Sequence, residues 1–252
     1  KLKDDIRLPI DINKIHTYSS IIKNDNLSKF LSKQGFKSIA ERLKNNSFIK
    51  SNISDNFQTK KIDNQYFLIN NSEDLHKLIK IIRKTGYFAI DTETNSLNIE
   101  EANLVGVSIA VNENTAYYIP INHKNLEDNK KLNKQIKETE LIKLLQPICN
   151  DPSILKIGHN IKYDLRILEK YDLKLTSIAD TMLLSYAIDN GITKHNMDDL
   201  AYLHFNHTNI KFKELVGSGK KEITFDFVEI SKALEYAAED ALITLKLYNF
   251  LN

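Results

Sequence analysis

Apolar and polar positions along the chain change character at about residue 64. Before it, a short apolar patch, LPIDI (8–12), is followed by Asn/Ser/Lys-rich sequence with two brief helical periods, LSKFLSKQ (27–34), stopped by Gly35, and SIAERL (38–43). Residues 44–64 are polar, with scattered Phe48, Ile49, Ile53 and Phe57 and no sustained period, which reads as a linker. Beyond it the pattern sharpens. YFLIN (66–70) reads as a strand, and Ser72 opens a helix to about Lys84. YFAID (87–91), LVGVSIAV (104–111) and AYYIP (116–120) read as three strands with turn-length connections, which predicts an antiparallel opening.

The polar stretch 122–138 reads as an exposed loop before a helix around 140–148. ILKIG (154–158) is a buried strand feeding a helix at 162–170, and helices are expected at about 180–188, 197–205 and 231–251. Strands first and helices later predict an α/β domain with a mixed central sheet and flanking helices over 63–252, preceded by an arm over 1–62.

Composition narrows this little. With 252 residues, 42% hydrophobic and 27% charged, fibrous and wholly disordered classes are excluded. The formal net charge of +2 requires any nucleic-acid-binding basic patch to be local. The single cysteine, Cys149, has no disulfide partner within the chain and favours a reducing, cytoplasmic setting. No apolar run approaches the ~20 residues of a membrane span, so no membrane partner is expected. The first residue is Lys, and the last helical pattern runs to the final residues, which suggests a piece of a longer chain.

Three clusters are candidates for chemistry. Asp91 and Glu93 lie two apart at a strand end, so their carboxylates share one face and repel unless a cation lies between them. A solvated strand end would also carry such a pair. In the segment 158–164, Gly158 permits close backbone approach, Asn160 offers an amide, and Asp164 falls in the first turn of a helix. Simple capping also accounts for Asp164. Tyr236 and Asp240 lie four apart on one face of the last helix, beside the small Ala237 and Ala238, with Leu234, Ala241 and Leu245 marking the core side. Glu239 points away from that face and reads as a surface acid.

Together, DTETNSL (91–97), GHNIKYDL (158–165) and YAAEDA (236–241) resemble the three motifs of the DEDD exonuclease superfamily in its Tyr-containing branch. Their order and spacing resemble the 3′-to-5′ proofreading domain of bacterial family A polymerases, DNA polymerase I. KHNMDDLA (194–201) and IKFKELVGSGK (210–220) are similar to the matching stretches of that family. The likeness covers 64–252, and 1–43 more faintly resembles the connector that follows the 5′ nuclease in those polymerases.

The resemblance implies a ribonuclease H-like exonuclease fold and two divalent metal ions, Mg²⁺ or Mn²⁺, held by Asp91, Glu93, Asp164 and Asp240. It also implies that Tyr236 orients the attacking water, and that a polymerase domain belongs to the same full-length chain. The expected substrate is a single-stranded or frayed DNA 3′ terminus, wedged by Leu97, stacked on by Phe212, held near its end by Asn160 and at phosphate by Lys194. Lys194 stands where Arg is expected and His159 where Gln is expected, and a lysine lacks the forked hydrogen bonding of arginine. The alternatives are a freestanding RNA-trimming exonuclease resembling ribonuclease D and a catalytically silent binding or spacer module.

Two other readings fail on residues. Gly217-Ser218-Gly219-Lys220 lacks the GxxxxGK[ST] pattern of a phosphate loop. His195, His204 and His207 have no cysteines beside them to build a zinc site.

Overall fold

In the computed structural model, residues 25–33, 64–188 and 194–252 are described. The chain divides into two units, Lys1–Gln58 and Thr59–Asn252. The first contains helix α1 (Asp25–Lys33), on which Leu31 is buried. The short helical pattern at 38–43 and the apolar patch at 8–12 lie outside the described residues.

The second unit is built on six strands: β1 (Gln65–Leu68), β2 (Tyr87–Thr94), β3 (Leu104–Asn112), β4 (Thr115–Pro120), β5 (Leu155–Gly158) and β6 (Ile178–Asp180). They form one sheet in the order β1-β4-β3-β2-β5-β6. The β2–β3 and β3–β4 pairs are antiparallel, as the turn-length connections predicted. β1 joins β4 in parallel, and β5 and β6 add in parallel beside β2. β3 alone therefore runs against the other five. The edge strand β6 has three residues, too few to leave a period in the sequence.

Helices cover both faces of this sheet. α2 (Ser72–Thr85) starts at Asn71, whose side chain accepts the Asp74 N–H, and ends at Gly86 in the left-handed conformation. Its Leu75, Leu78 and Ile82 recur at helical spacing and are buried, each stabilising the fold by about 1.5–3 kcal/mol. Leu141, Leu145 and Ile148 of α3 (Glu138–Cys149) join the same core. α4 (Lys162–Glu169), α5 (Thr181–Ile188), α6 (Met197–Phe205) and the short α7 (Phe212–Val216) follow. No helix of the described residues is long and apolar enough to cross a membrane.

α8 (Ile230–Leu251) covers the opposite face. Its Ala238 and Ala241 pack on Ala89, Ala110 and Ala116 of the sheet, together with Ile157, Leu242 and Leu245. Alanine against alanine lets the helix backbone approach the strands closely, and this sets how far the acids on α8 stand from those on β2.

The polar stretch 122–138 departs from the exposed loop expected. Residues 125–131 are mostly exposed, but His123 is fully buried. Its Nδ1 lies 3.0 Å from the Val228 carbonyl, and its Nε2 lies 2.7 Å from the Tyr118 hydroxyl. A carbonyl only accepts, so Nδ1 carries the proton and Nε2 accepts from Tyr118. A buried histidine in an otherwise polar run leaves no periodic signal.

Candidate active site

β2 positions the first two acids. Its alternation puts Asp91 and Glu93 on one face, where α8 brings Asp240 to meet them. One oxygen from each of Asp91, Glu93 and Asp240 lies within 4.8 Å of the others. Glu93 is buried, and its Oε1 finds no hydrogen-bond partner among the described residues. Burial pushes the Asp91 carboxyl well above the carboxylate range, and the charges of Asp164, Glu93 and Asp240 add to it. Glu93 is raised in the same way, by burial and then by Asp240 and Asp164. Such a group is unstable as three bare anions and fits a hard divalent cation, which prefers carboxylate oxygens.

Asp164 lies outside this trio. It sits in the first turn of α4, and its Oδ1 accepts both the Thr92 backbone N–H, at 2.9 Å, and the Thr92 hydroxyl, at 2.6 Å. Thr92 lies between Asp91 and Glu93, so one strand holds two acids directly and a third through the residue between them. Burial raises the Asp164 carboxyl, and the Thr92 bonds offset part of that rise.

A cleft of about 540 Å³ opens over the acids, and Asp91, Glu93, Leu97, Phe212, Tyr236 and Asp240 all line it. Leu97 is 88% exposed at its lip. The loop that carries it is tied down by α4 and by Lys170 at its C-cap. The Tyr163 hydroxyl lies 2.9 Å from the Ser96 carbonyl and 2.6 Å from Thr94 Oγ1. Lys170 Nζ donates to the carbonyls of Ile99 and Ala102 at 2.8 and 2.6 Å.

Across the cleft, Phe212 stacks on Phe225 at 6.1 Å and 9° and meets Tyr236 edge-on at 6.1 Å and 63°. Burial and the neighbouring acids push the Tyr236 phenol far upward, which keeps it protonated. Burial raises Asp240 as well, partly offset by its interaction with Tyr236.

Asn160 and Lys194 are exposed and do not line the cleft. Asn160 has a left-handed backbone, φ 57°, and its N–H donates to Asp180 Oδ1 at 3.0 Å. The Ile161 N–H donates to the other oxygen, also at 3.0 Å, and the Met182 N–H to Oδ1 at 2.9 Å. Asp180 therefore holds the turn that leads into α4 and the start of α5 with one carboxylate. Sequence reasoning passed over it, although an Asp before an apolar helical run is a capping signal. Gly158 enters the same turn, and a Cβ there would lie 2.6 Å from Ile161 Cγ1, which bears out the close approach read for it.

Glu239 is a correction. It is buried, not a surface acid. Its Oε1 accepts from His207 Nε2 at 2.8 Å, and its Oε2 accepts the Ile210 N–H at 2.7 Å. The outer face of α8 at this point is covered by the segment that follows α6.

Residues 66–252 match the family model described as 3′–5′ exonuclease. The chain belongs to that exonuclease family. The exonuclease domain is 40% identical over 201 residues to DNA polymerase I of Rhizobium leguminosarum, covering 73% of this chain and 19% of that protein. It is 38% identical over 176 residues to DNA polymerase I of Pseudomonas aeruginosa, covering 69% of this chain and 19% of that protein. The chain thus spans about a fifth of the curated relatives it matches.

Solved structures share the fold of the exonuclease domain. The catalytic core of RRP6 from Trypanosoma brucei matches with a TM-score of 0.57 at 16% identity, over 76% of this chain and 47% of that one. Escherichia coli RNase D matches with a TM-score of 0.54 at 19% identity, over 74% and 44%. The ribonuclease H-like α/β fold expected from the motifs is therefore present. Membership of the family implies use of a divalent metal, and the carboxylate trio suits one.

Proposed function

We propose that residues 63–252 form the 3′-to-5′ exonuclease domain of a DNA polymerase, with 1–62 as the connector before it. Its reaction is removal of 5′-mononucleotides, one at a time, from single-stranded or frayed DNA 3′ ends. One observation carries the reading: acids from β2 and α8, far apart in sequence, converge under a cleft with apolar side chains at its rim.

A pair of divalent ions, Mg²⁺ or Mn²⁺, would supply activation of the nucleophilic water and neutralisation of charge at the attacking and leaving oxygens. Asp91, Glu93 and Asp240 would hold the first, and Asp91 with Asp164 the second. Tyr236, kept protonated, orients the attacking water through its hydroxyl and does not remove its proton. Leu97, on its clamped loop, wedges beside the terminal base, and Phe212 offers it a ring face. Stacking of this kind tolerates any base and contributes about 1–3 kcal/mol per base, which suits an editing enzyme. Asn160 and Lys194 contact the sugar-phosphate chain outside the cleft.

The test is a gel time course with 3′- and 5′-labelled single-stranded DNA and RNA, in Mg²⁺, Mn²⁺ or EDTA. Metal-dependent laddering of DNA from its 3′ end is expected. Trimming of RNA alone would favour a ribonuclease D-like role, and cutting in EDTA would overturn the mechanism.

A further inference from the structure

Glu239 follows the site from the other side of α8. It is adjacent in sequence to Asp240, yet both of its oxygens engage residues 207–210. An ionised carboxylate only accepts, so the His207 ring presents an N–H to it. The segment it holds begins where Asn206, with φ 51°, ends α6 in a left-handed turn, and it runs into Phe212 at the start of α7. Phe212 then reaches the cleft and contacts Phe225 and Tyr236.

The other ion pair on this strap, Lys211 with Asp198, is exposed and contributes little. Glu239 is 6% exposed beneath this strap, so removing its carboxylate would leave the covered Ile210 N–H and the His207 ring without their acceptor. Helix α8 thus carries Tyr236 and Asp240 toward the cleft and, through Glu239 just before Asp240, fastens the wall that faces them.

The geometry points to Glu239 as a positioning residue that, through His207 and Ile210, fixes the Phe212 wall on which the terminal base stacks. This rests on the exonuclease reading for the identity of the substrate. It predicts that Glu239 acts on binding of the 3′ end more than on bond cleavage.

The test compares Glu239→Ala, Glu239→Gln and Phe212→Ala, alone and combined. Binding is measured in EDTA with single-stranded DNA that carries 2-aminopurine at its 3′ terminus, and turnover is measured in Mg²⁺. Glu239→Ala is expected to weaken binding and raise KM about tenfold, with kcat changed less than about threefold, because part of the stacking is lost. Hydrogen exchange at the Ile210 amide should accelerate. Glu239→Gln keeps an acceptor for that N–H and should recover most of the binding.

In the Phe212→Ala background, Glu239→Ala should cost less than about twofold, since coupled residues are not additive. An equal cost in both backgrounds, or a fall in kcat with binding unmoved, overturns the proposal. Should Glu239→Ala fail to fold, His207→Ala carries the same comparison. DNA binding that follows this pattern in a protein that cuts nothing would sink the exonuclease reading and leave the positioning role standing.

Discussion

Thr92 gives both its backbone N–H and its hydroxyl to a single oxygen of Asp164. Hydrogen bonds to charged acceptors contribute about 1.5–3 kcal/mol, so Thr92 orients the one of the four acids that lies outside the Asp91, Glu93 and Asp240 trio. Thr92→Val removes the hydroxyl and keeps the N–H. Its exonuclease rate should fall about tenfold or more, and Thr92→Ser should restore most of it. A Thr92→Val rate equal to the parent's would show that Asp164 needs no such support.

The carboxyls of Asp91, Glu93, Asp164 and Asp240 are all raised, chiefly by burial. A raised carboxyl is easier to protonate in the folded chain, so the metal-free protein gains stability as pH falls through those values toward the ordinary range. More of the repulsion is felt at pH 8 than at pH 5. Asp240→Asn in EDTA should therefore melt several degrees higher than the parent at pH 8, a gain of about 1–2 kcal/mol, with less difference at pH 5. Adding Mg²⁺ should raise the parent more than the variant. Calorimetric melting curves at the two pH values decide it.

The same acids repel one another, and on the proposed function substrate phosphate would complete the metal coordination, so free protein should hold the ions weakly. Isothermal titration with Mg²⁺ is expected to give no tight site without DNA. Two tight sites in the free protein would contradict this.

His123 gives the opposite pH dependence. Burial lowers its pKa to about 4, with the Val228 carbonyl and Asp226 opposing the shift. The unfolded chain, with an ordinary value of about 6.5, binds that proton more readily. The stability held by a neutral His123 is full above about pH 6.5 and is lost as pH falls toward 4, on the order of 2–3 kcal/mol. His159, also lowered to about 4 by burial, acts in the same direction. Denaturant titrations at pH 7.5 and 4.5 should show a smaller loss for His123→Gln than for the parent, and equal losses would refute it.

Leu97 depends on its clamp. Lys170→Met removes the donors to Ile99 and Ala102 while keeping the apolar stem, and it should raise KM for a DNA 3′ end about threefold with kcat held. Leu97→Ala should raise it about tenfold, within the 1–3 kcal/mol that a stacked base contributes. Steady-state kinetics on a single-stranded oligonucleotide test both.

What the chain disclosed before folding follows the range of each contact. Asp91 with Glu93, and Tyr236 with Asp240, share a face because of strand and helix periods, so their pairing was readable from spacing alone. That the two pairs meet depends on the sheet order, and only the likeness of three motifs to a known family pointed there. The Thr92–Asp164 bond joins residues 72 apart, and no local pattern encodes it. Glu239 was misread because the strap over α8 has no apolar period of its own, and His123 because it sits in a polar run with no sustained period.

The alanines between α8 and the sheet have a consequence for how this chemistry can change. None of them has a functional group, yet their methyls act as the spacer between two rulers, one marked with Asp91 and Glu93 and the other with Asp240. A single larger side chain at Ala238 or Ala241 would silence the enzyme with every acid still in place. Retention of the acids is therefore not sufficient evidence that a related sequence can cut; the thickness of its spacer must be read as well.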